Sequence, residues 1–491
     1  MFFLPAHALI ALLWLLPALG TPSLARHWWM AMASAAAGAV VALGLMAVEG
    51  IQPALLFQLL IQLLVWVILR FSVRYLNGEA GQARFLKAVG WLLFGSTLVV
   101  ASGDWATLLL GWAVTSRALH SLLTFYPARP QACIAARREA VASRLAELCL
   151  LLGALAIIWS VGSLRFAEAG VALAEPVQQV ARVVGAVLVV VSVLIKTAQL
   201  PFHGWVTQVM EAPTPVSALL HAGVVNLGGM VLIKLAELWT AAPAASWLLT
   251  IWGGVTAALS CWVMLTRISI KLRLAWSTCA QMGFMLMECG LGQYSLALLH
   301  LIAHSLYKAH AFLTSGSQVR ITIRQPAAAL PHDGWRYLAS GVIGVALLVG
   351  SLQLWSWGLA HPVRPPMLLV VVIGLGLAPL CLHWRGGVLA LLLCQAYLLL
   401  HTLFAAIQLD GAGVPLSCQL LVVAFFAALY LMQAWLVRHP DSPLSQRLYA
   451  MAFGGLYLDE WWVRLTTSGR VPQNPRFGVP GMMKGVAHEK A

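Results

Sequence analysis

Residues 196–221 read Lys196-Thr-Ala-Gln-Leu-Pro201-Phe-His203-Gly-Trp-Val-Thr-Gln-Val-Met-Glu211-Ala-Pro213-Thr-Pro215-Val-Ser-Ala-Leu-Leu-His221. An apolar run from Ala181 to Ile195 ends on a lysine, a proline follows five residues later, and two more prolines frame Thr214. Proline removes a helix donor and its ring clashes with the preceding turn, so a break or kink is expected just past Lys196, at Pro201. The stretch from Val180 to Met210 would be roughly 46 Å long as a helix, too long for one straight span of a ~30 Å hydrocarbon core. A half-helix, a break and a second half-helix fit instead, with Lys196 well inside the membrane. The competing reading puts Lys196 at a helix end, its amine reaching the surface. Ionisable groups beside broken helices in a bilayer mark ion pathways more often than packing accidents.

Composition supports the membrane setting. Of 491 residues 61% are hydrophobic and 9% charged, far more apolar surface than a soluble protein of this size could bury. Apolar runs sit near 3–20, 28–48, 55–73, 86–101, 105–125, 141–161, 180–210 (broken), 215–237, 246–266, 274–291, 296–318, 337–359, 367–383, 387–408 and 416–437. The expected fold is therefore an all-α polytopic membrane protein of about 14–15 spans. Met1 to Ala25 lacks a basic leader and reads as the first span rather than a signal peptide. A net charge of +14 could suggest nucleic acid, but the basic residues fall in loops. Arg70, Arg74, Arg84 and Lys87, then Arg129, Arg137 and Arg138, then Arg267, Lys271 and Arg273, then Arg320, Arg324 and Arg336 all fall on one side. The loops between them (Asp104; Arg165, Glu168 and Glu175; Asp410) are neutral or acidic. The positive-inside rule makes the basic side cytoplasmic, with the N-terminus outside and the C-terminus inside. No nucleic-acid partner is implied. The eight cysteines stand singly without ligand spacing, so neither a disulfide framework nor a metal site is indicated.

Carrying protons through hydrocarbon takes a row of groups whose protonation can exchange. Lys196 is the first candidate; His221 lies on the next span, followed by Asn226 and Lys234. His300, His304 and Lys308 recur every four residues and climb one helix face over roughly 12 Å. Such a stripe is hard to explain by packing, and a zinc reading lacks an acidic neighbour and a third ligand. His221 could also be a satisfied core histidine, and Lys234 could simply snorkel at the outer end.

The Lys-Thr-Ala-Gln-Leu-Pro-x-His-x-Trp and Glu-Ala-Pro-Thr-Pro-Val-Ser-Ala-Leu-Leu-His blocks resemble the proton-translocating antiporter-like subunits of respiratory complex I, the Mrp antiporters and DabB, the membrane subunit of bacterial inorganic-carbon transporters. The resemblance covers roughly residues 85–320. It implies two inverted five-helix repeats, here 86–237 and 246–408, after N-terminal helices (1–85) and before a last span (409–437) and a basic cytoplasmic tail (438–491). It also makes His221 and the His300/His304/Lys308 ladder ion-path residues, and it matches Lys271, which reads equally as a cytoplasmic mouth or a plain positive-inside charge.

Two departures stand out. Where the family's fifth span opens with Trp-Glu, this chain has Gly111-Trp112-Ala113, and the helix carries Arg117 and His120 instead. The family's twelfth-span lysine is missing, since 337–359 holds no Lys, Asp or Glu. Arg144 and Glu147 match a family Arg-x-x-acid, making Glu147 the expected partner of Lys196, with Glu211 a weaker one. These departures, and the lack of a legible lateral helix after residue 437, point to the DabB branch. That branch implies a cation-conducting, non-enzymatic subunit without a cofactor of its own. Its partner would be a large zinc-containing, carbonic-anhydrase-like subunit, DabA, and a proton or sodium gradient would drive CO2 hydration to bicarbonate. A redox-complex subunit and a stand-alone cation/proton antiporter are the alternatives.

Overall fold

The computed structural model describes residues 3–208, 211–317, 334–358, 365–405, 407, 411 and 413–460. Arg320, Arg324, Asp410 and the tail from residue 461 onward therefore lie outside the described residues. Among the described residues there is no strand, only helices and one isolated bridge between Asp104 and Arg165.

The long helices are α1 (Phe3–Leu19), α2 (Leu24–Glu49), α3 (Pro53–Tyr75), α4 (Gln82–Ala101), α5 (Trp105–Leu123), α6 (Pro130–Val161) and α7 (Pro176–Lys196). A short turn, α8 (Gly204–Thr207), precedes α9 (Thr214–Ala222), α10 (Leu227–Lys234) and α11 (Ala236–Ala241). Then come α12 (Pro243–Met264), α13 (Ile270–Gly290), α14 (Tyr294–Leu313), α15 (Gly334–Gly358), α16 (Met367–Leu377), α17 (Trp384–Ala405), α18 (Leu416–Arg438) and α19 (Pro443–Phe453). Eleven of these segments, with α9–α10 counted as one, are long and apolar enough to cross a membrane; α1 and α16 are shorter apolar helices. α5 and α13 lie in the same bundle but carry the polar groups that the candidate site uses.

Contacts between connections sort them onto two faces. On one, the Tyr75 hydroxyl meets Thr214 at 3.3 Å, Arg84 reaches Thr124 O at 3.3 Å, and Arg267 reaches Phe453 O at 2.8 Å. On the other, Lys234 donates to Val100 O at 2.6 Å and Gly411 N to Gly292 O at 2.9 Å. The described basic loops, around 75–84, 124–130 and 267–271, share the first face. Sequence-adjacent helices pack as antiparallel hairpins, α4 on α5, α6 on α7, α12 on α13 and α15 on α16, while α9 lies along α14.

The helix break lies where the sequence predicts it, with a different second half. α7 ends at Lys196, five residues before Pro201, and Ala198 takes a left-handed φ of 56°. Beyond the break only the single turn α8 forms, in place of a second half-helix. Carbonyls released inside a membrane must find donors. Gln199 N bonds Leu194 O at 2.9 Å, Trp205 Nε1 reaches Ile195 O at 3.4 Å, and Trp252 Nε1 reaches Leu200 O at 2.7 Å. Pro213 and Pro215 start α9, where a missing N–H costs no helix bond.

A second break was not legible in sequence. The span read as continuous over 215–237 is interrupted at Gly223 (φ −125°, ψ −68°), and Asn226 sits in the gap. Its Nδ2 donates to Ala222 O at 3.0 Å and to Ser305 Oγ at 2.7 Å, so the side chain ties the break to α14.

As far as residue 460, the stretch expected as a basic tail packs on the bundle. Arg267 holds the end of α19 through Phe453 O and Ala452 O (2.7 Å), and Leu456 and Leu458 pack on Leu200, Val263 and Trp276. Three successive left-handed residues, Gly455, Leu456 and Tyr457, turn the chain back toward the first break.

Candidate functional site: two buried lysine centres

The first centre is Lys196, 3% exposed. Its Nζ donates to Ser116 Oγ on α5 at 2.7 Å and to Ser143 Oγ on α6 at 2.8 Å. Ser143 Oγ in turn donates to Glu139 Oε1, which stands 3.8 Å from Nζ. A serine hydroxyl has one proton and two lone pairs, so it can accept from an ammonium while donating to a carboxylate. Lys196, Ser143 and Glu139 thus form a continuous donor–acceptor line between two ionisable groups in a water-poor interior.

Glu139 corrects the expected partner. Glu147 turns to Arg144, one turn away and half-exposed, and forms a salt bridge there. Glu139 escaped notice because the apolar run seemed to begin at 141, which leaves 139 in a loop. α6 in fact starts at Pro130, with its proline in the first turn, and carries Glu139 and Ser143 inward on one face. A Glu four residues before a Ser, with an alanine-rich face beside them, was the available signal. The two carboxylates should separate in experiment. Glu147→Gln should shift stability by about 1 kcal/mol or less, the range of a solvent-accessible pair. Glu139→Gln should cost several times more in thermal melting, about 3–5 kcal/mol, because it leaves a buried ammonium without its counter-ion.

The second centre lies across α9, α13 and α14. Lys308, fully buried, donates to Leu274 O at 2.9 Å and to Ser277 Oγ. His221 stacks on Phe312 at 4.3 Å between centroids and meets Thr278 Oγ1 through Nδ1 at 3.0 Å. His304 is buried one turn from Lys308, its ring 6.3 Å from that of His300. His300 Nδ1 meets Glu288 Oε2 at 2.9 Å and Nε2 meets Gln281 Oε1 at 2.8 Å. The structure therefore brings His221, His300, His304 and Lys308 into one zone. Sequence reading missed the groups that hold them: Ser277, Thr278, Gln281 and Glu288 on α13, and Ser305 on α14.

The remaining candidates lie apart. Lys271 lines an open cavity of about 630 Å³ on the basic face, with Phe71, Tyr75, Thr214 and Ser315. Lys234 is held by a backbone carbonyl of α4 near the opposite face. Glu211 is not among the groups that meet Lys196, which are Ser116, Ser143 and Glu139. Arg138, expected only as a charge of a basic loop, is 5% exposed, and its Nη1 bonds Asp459 Oδ2 at 3.0 Å. Gly204 leaves room for that carboxylate, since a Cβ there would lie 1.8 Å from Asp459 Oδ1. Among the described residues no group of three or more His, Cys, Asp or Glu could hold a metal ion.

Broken spans, buried lysines with hydroxyl and carboxylate partners, and a histidine ladder define a cation-translocating membrane subunit of the antiporter-like class. Residues 102–326 match the family described as NADH:quinone oxidoreductase/Mrp antiporter, transmembrane. The Mrp complex from Dietzia sp. DQ12-45-1b shares the fold, with a TM-score of 0.58 at 21% identity over 98% of this chain and 58% of that one. The "Probable inorganic carbon transporter subunit DabB" of Hydrogenovibrio crunogenus is 36% identical over 425 residues, 83% of this chain and 80% of that protein. The "Probable inorganic carbon transporter subunit DabB2" of Halothiobacillus neapolitanus is 37% identical over 463 residues, 87% of this chain and 82% of its own length. The chain belongs to the DabB family.

Proposed function

We propose that this chain is the proton-conducting half of a two-component inorganic-carbon uptake system, and that its zinc-bearing, carbonic-anhydrase-like partner (DabA) makes bicarbonate from CO2. The observation that carries the ion-path reading is the Lys196–Ser143–Glu139 line. A concerted shift along it takes a proton from the ammonium through the hydroxyl to the carboxylate and leaves two neutral groups. The pair can so exist charged or neutral within one geometry, and a change of charge nearby tips the balance. The same geometry favours H+ over Na+: sodium needs a shell of oxygens, and here an amine occupies the centre of the oxygen donors. The partner and the carbon chemistry rest on family membership. In this reading the zinc belongs to the partner, the basic face is cytoplasmic, and the membrane is the bacterial inner membrane. Coupling requires that proton passage bias a conformational or protonation equilibrium shared with the partner.

Co-expression with a large carbonic-anhydrase-like subunit of the DabA type tests the proposal. The expected result is a stable complex that contains zinc and confers accumulation of labelled inorganic carbon, abolished by a protonophore. Co-purification with iron–sulfur subunits instead, or uptake indifferent to the protonophore, would overturn it.

A further inference from the structure

We infer that His120 is the port through which protons exchange between solvent on the basic face and the buried Glu139–Lys196 pair; this deepens the ion-path reading and rests on it. The position answers the fifth-span departure: the carboxylate is gone from Gly111-Trp112-Ala113, and an ionisable group stands two turns further along the same helix.

The geometry aligns two helix faces. On α5, Ser116 and His120 are four residues apart and share a face. Ser116 accepts from Lys196, and His120 is exposed in the last turn at the basic end. On α6, Ala136, Glu139 and Ser143 follow one another at spacings of three and four, again on one face. His120 Nδ1 meets Ala136 O at 3.1 Å, which docks the imidazole one turn from Glu139. A carbonyl only accepts, so Nδ1 carries the proton and Nε2 is left as the basic nitrogen. Glu139 has one oxygen engaged by Ser143; its Oε2 is buried and meets no hydrogen-bonding group among the described residues. The sequence of groups from solvent inward is thus imidazole, carboxylate, hydroxyl, amine.

The step balances simply. Nε2 takes a proton from water to give imidazolium, and the imidazolium passes it through an intervening water to Oε2 of the Glu139 carboxylate, which becomes a neutral acid. The acid then turns its O–H toward Ser143, whose Oγ takes that proton while giving its own to a neutral Lys196 amine, so that Glu139 returns to carboxylate and Lys196 becomes ammonium. His120 is suited to this role because it is exposed on one edge and docked to α6 on the other.

The test uses the full complex in inverted membrane vesicles, with proton flux followed by a pH-sensitive dye. His120→Ala should assemble normally and slow flux roughly tenfold or more, the scale of a lost proton-transfer group. Free imidazole added on the outer side of the vesicles should restore much of the flux. The same addition to Lys196→Ala vesicles should restore nothing, which controls for imidazole acting as a permeant buffer. His120→Gln, which can still donate to Ala136 O, should fold like the parent and remain slow, separating proton carriage from helix docking. Parental flux in His120→Ala, or a slow variant that imidazole cannot rescue, overturns the assignment while leaving Lys196 in place. No flux from the unaltered complex would instead defeat the ion-path reading itself, and this inference with it.

Discussion

Lys196→Ala yields an assembled complex that no longer couples ion movement to uptake. The amine is the only cation in direct contact with Glu139 among the described residues, and its three contacts, Ser116, Ser143 and Glu139, lie on two different helices. Alanine removes one end of the proton line, and no hydroxyl can replace it, since serine alone does not hold a proton in reserve. Folding should survive. A carboxylate left buried without a counter-ion takes up a proton, and as a neutral acid it keeps its hydrogen bond with Ser143. Accumulation of labelled inorganic carbon should fall to the level of cells lacking the system. Melting in detergent should drop by clearly less than the about 3–5 kcal/mol of a stranded buried charge. Lys196→Met combined with Glu139→Gln should recover stability relative to Glu139→Gln alone, because no ammonium is then left without its counter-ion, and should still not transport. Full uptake by Lys196→Ala would end the assignment of this lysine to the path.

Gly283→Leu disrupts the second centre and the fold together. α12 and α13 approach so closely that a Cβ on Gly283 would lie 2.6 Å from Gly253 O and 2.8 Å from Ala257 N. The reciprocal Cβ on Gly253 would lie 2.5 Å from Gly283 O. These are backbone atoms within hydrogen-bonded helices, so the clash cannot be relieved by a rotamer change and the helices must separate. Small residues at such seams are what lets transmembrane helices reach this distance. Overpacking of a few methylenes costs about 1–3 kcal/mol, and leucine exceeds that case. Displacing α13 also carries Thr278 from His221, Ser277 from Lys308 and Glu288 from His300. The expected readout is a large loss of monodisperse protein in detergent together with loss of flux. Gly350→Leu, on a helix where nothing lies within 4 Å of the added Cβ, serves as the control and should behave as the parent. Equal yields and melting for the two variants would refute the seam.

Local chemistry alone determined a good deal. The apolar runs, the one-sided placement of arginines, the proline after Lys196 and the four-residue spacing of His300, His304 and Lys308 each follow from neighbours in the chain. A helix that must cross hydrocarbon has to be apolar along its length, and a lysine inside one has to be accounted for. The break at 197–203 and the class of protein were therefore readable. Tertiary structure decided which groups face one another. Glu139 and Glu147 lie on the same helix two turns apart, and only the rotation of α6 against α5 and α7 selects Glu139 for Lys196. Ser116, Thr278, Glu288 and Asn226 are unremarkable in their own segments and become partners when distant helices meet. The interruption at Gly223 is held by Asn226 reaching Ser305, 79 positions away. Periodicity specifies which face a helix turns inward; what stands opposite that face is set by packing between segments far apart in the chain.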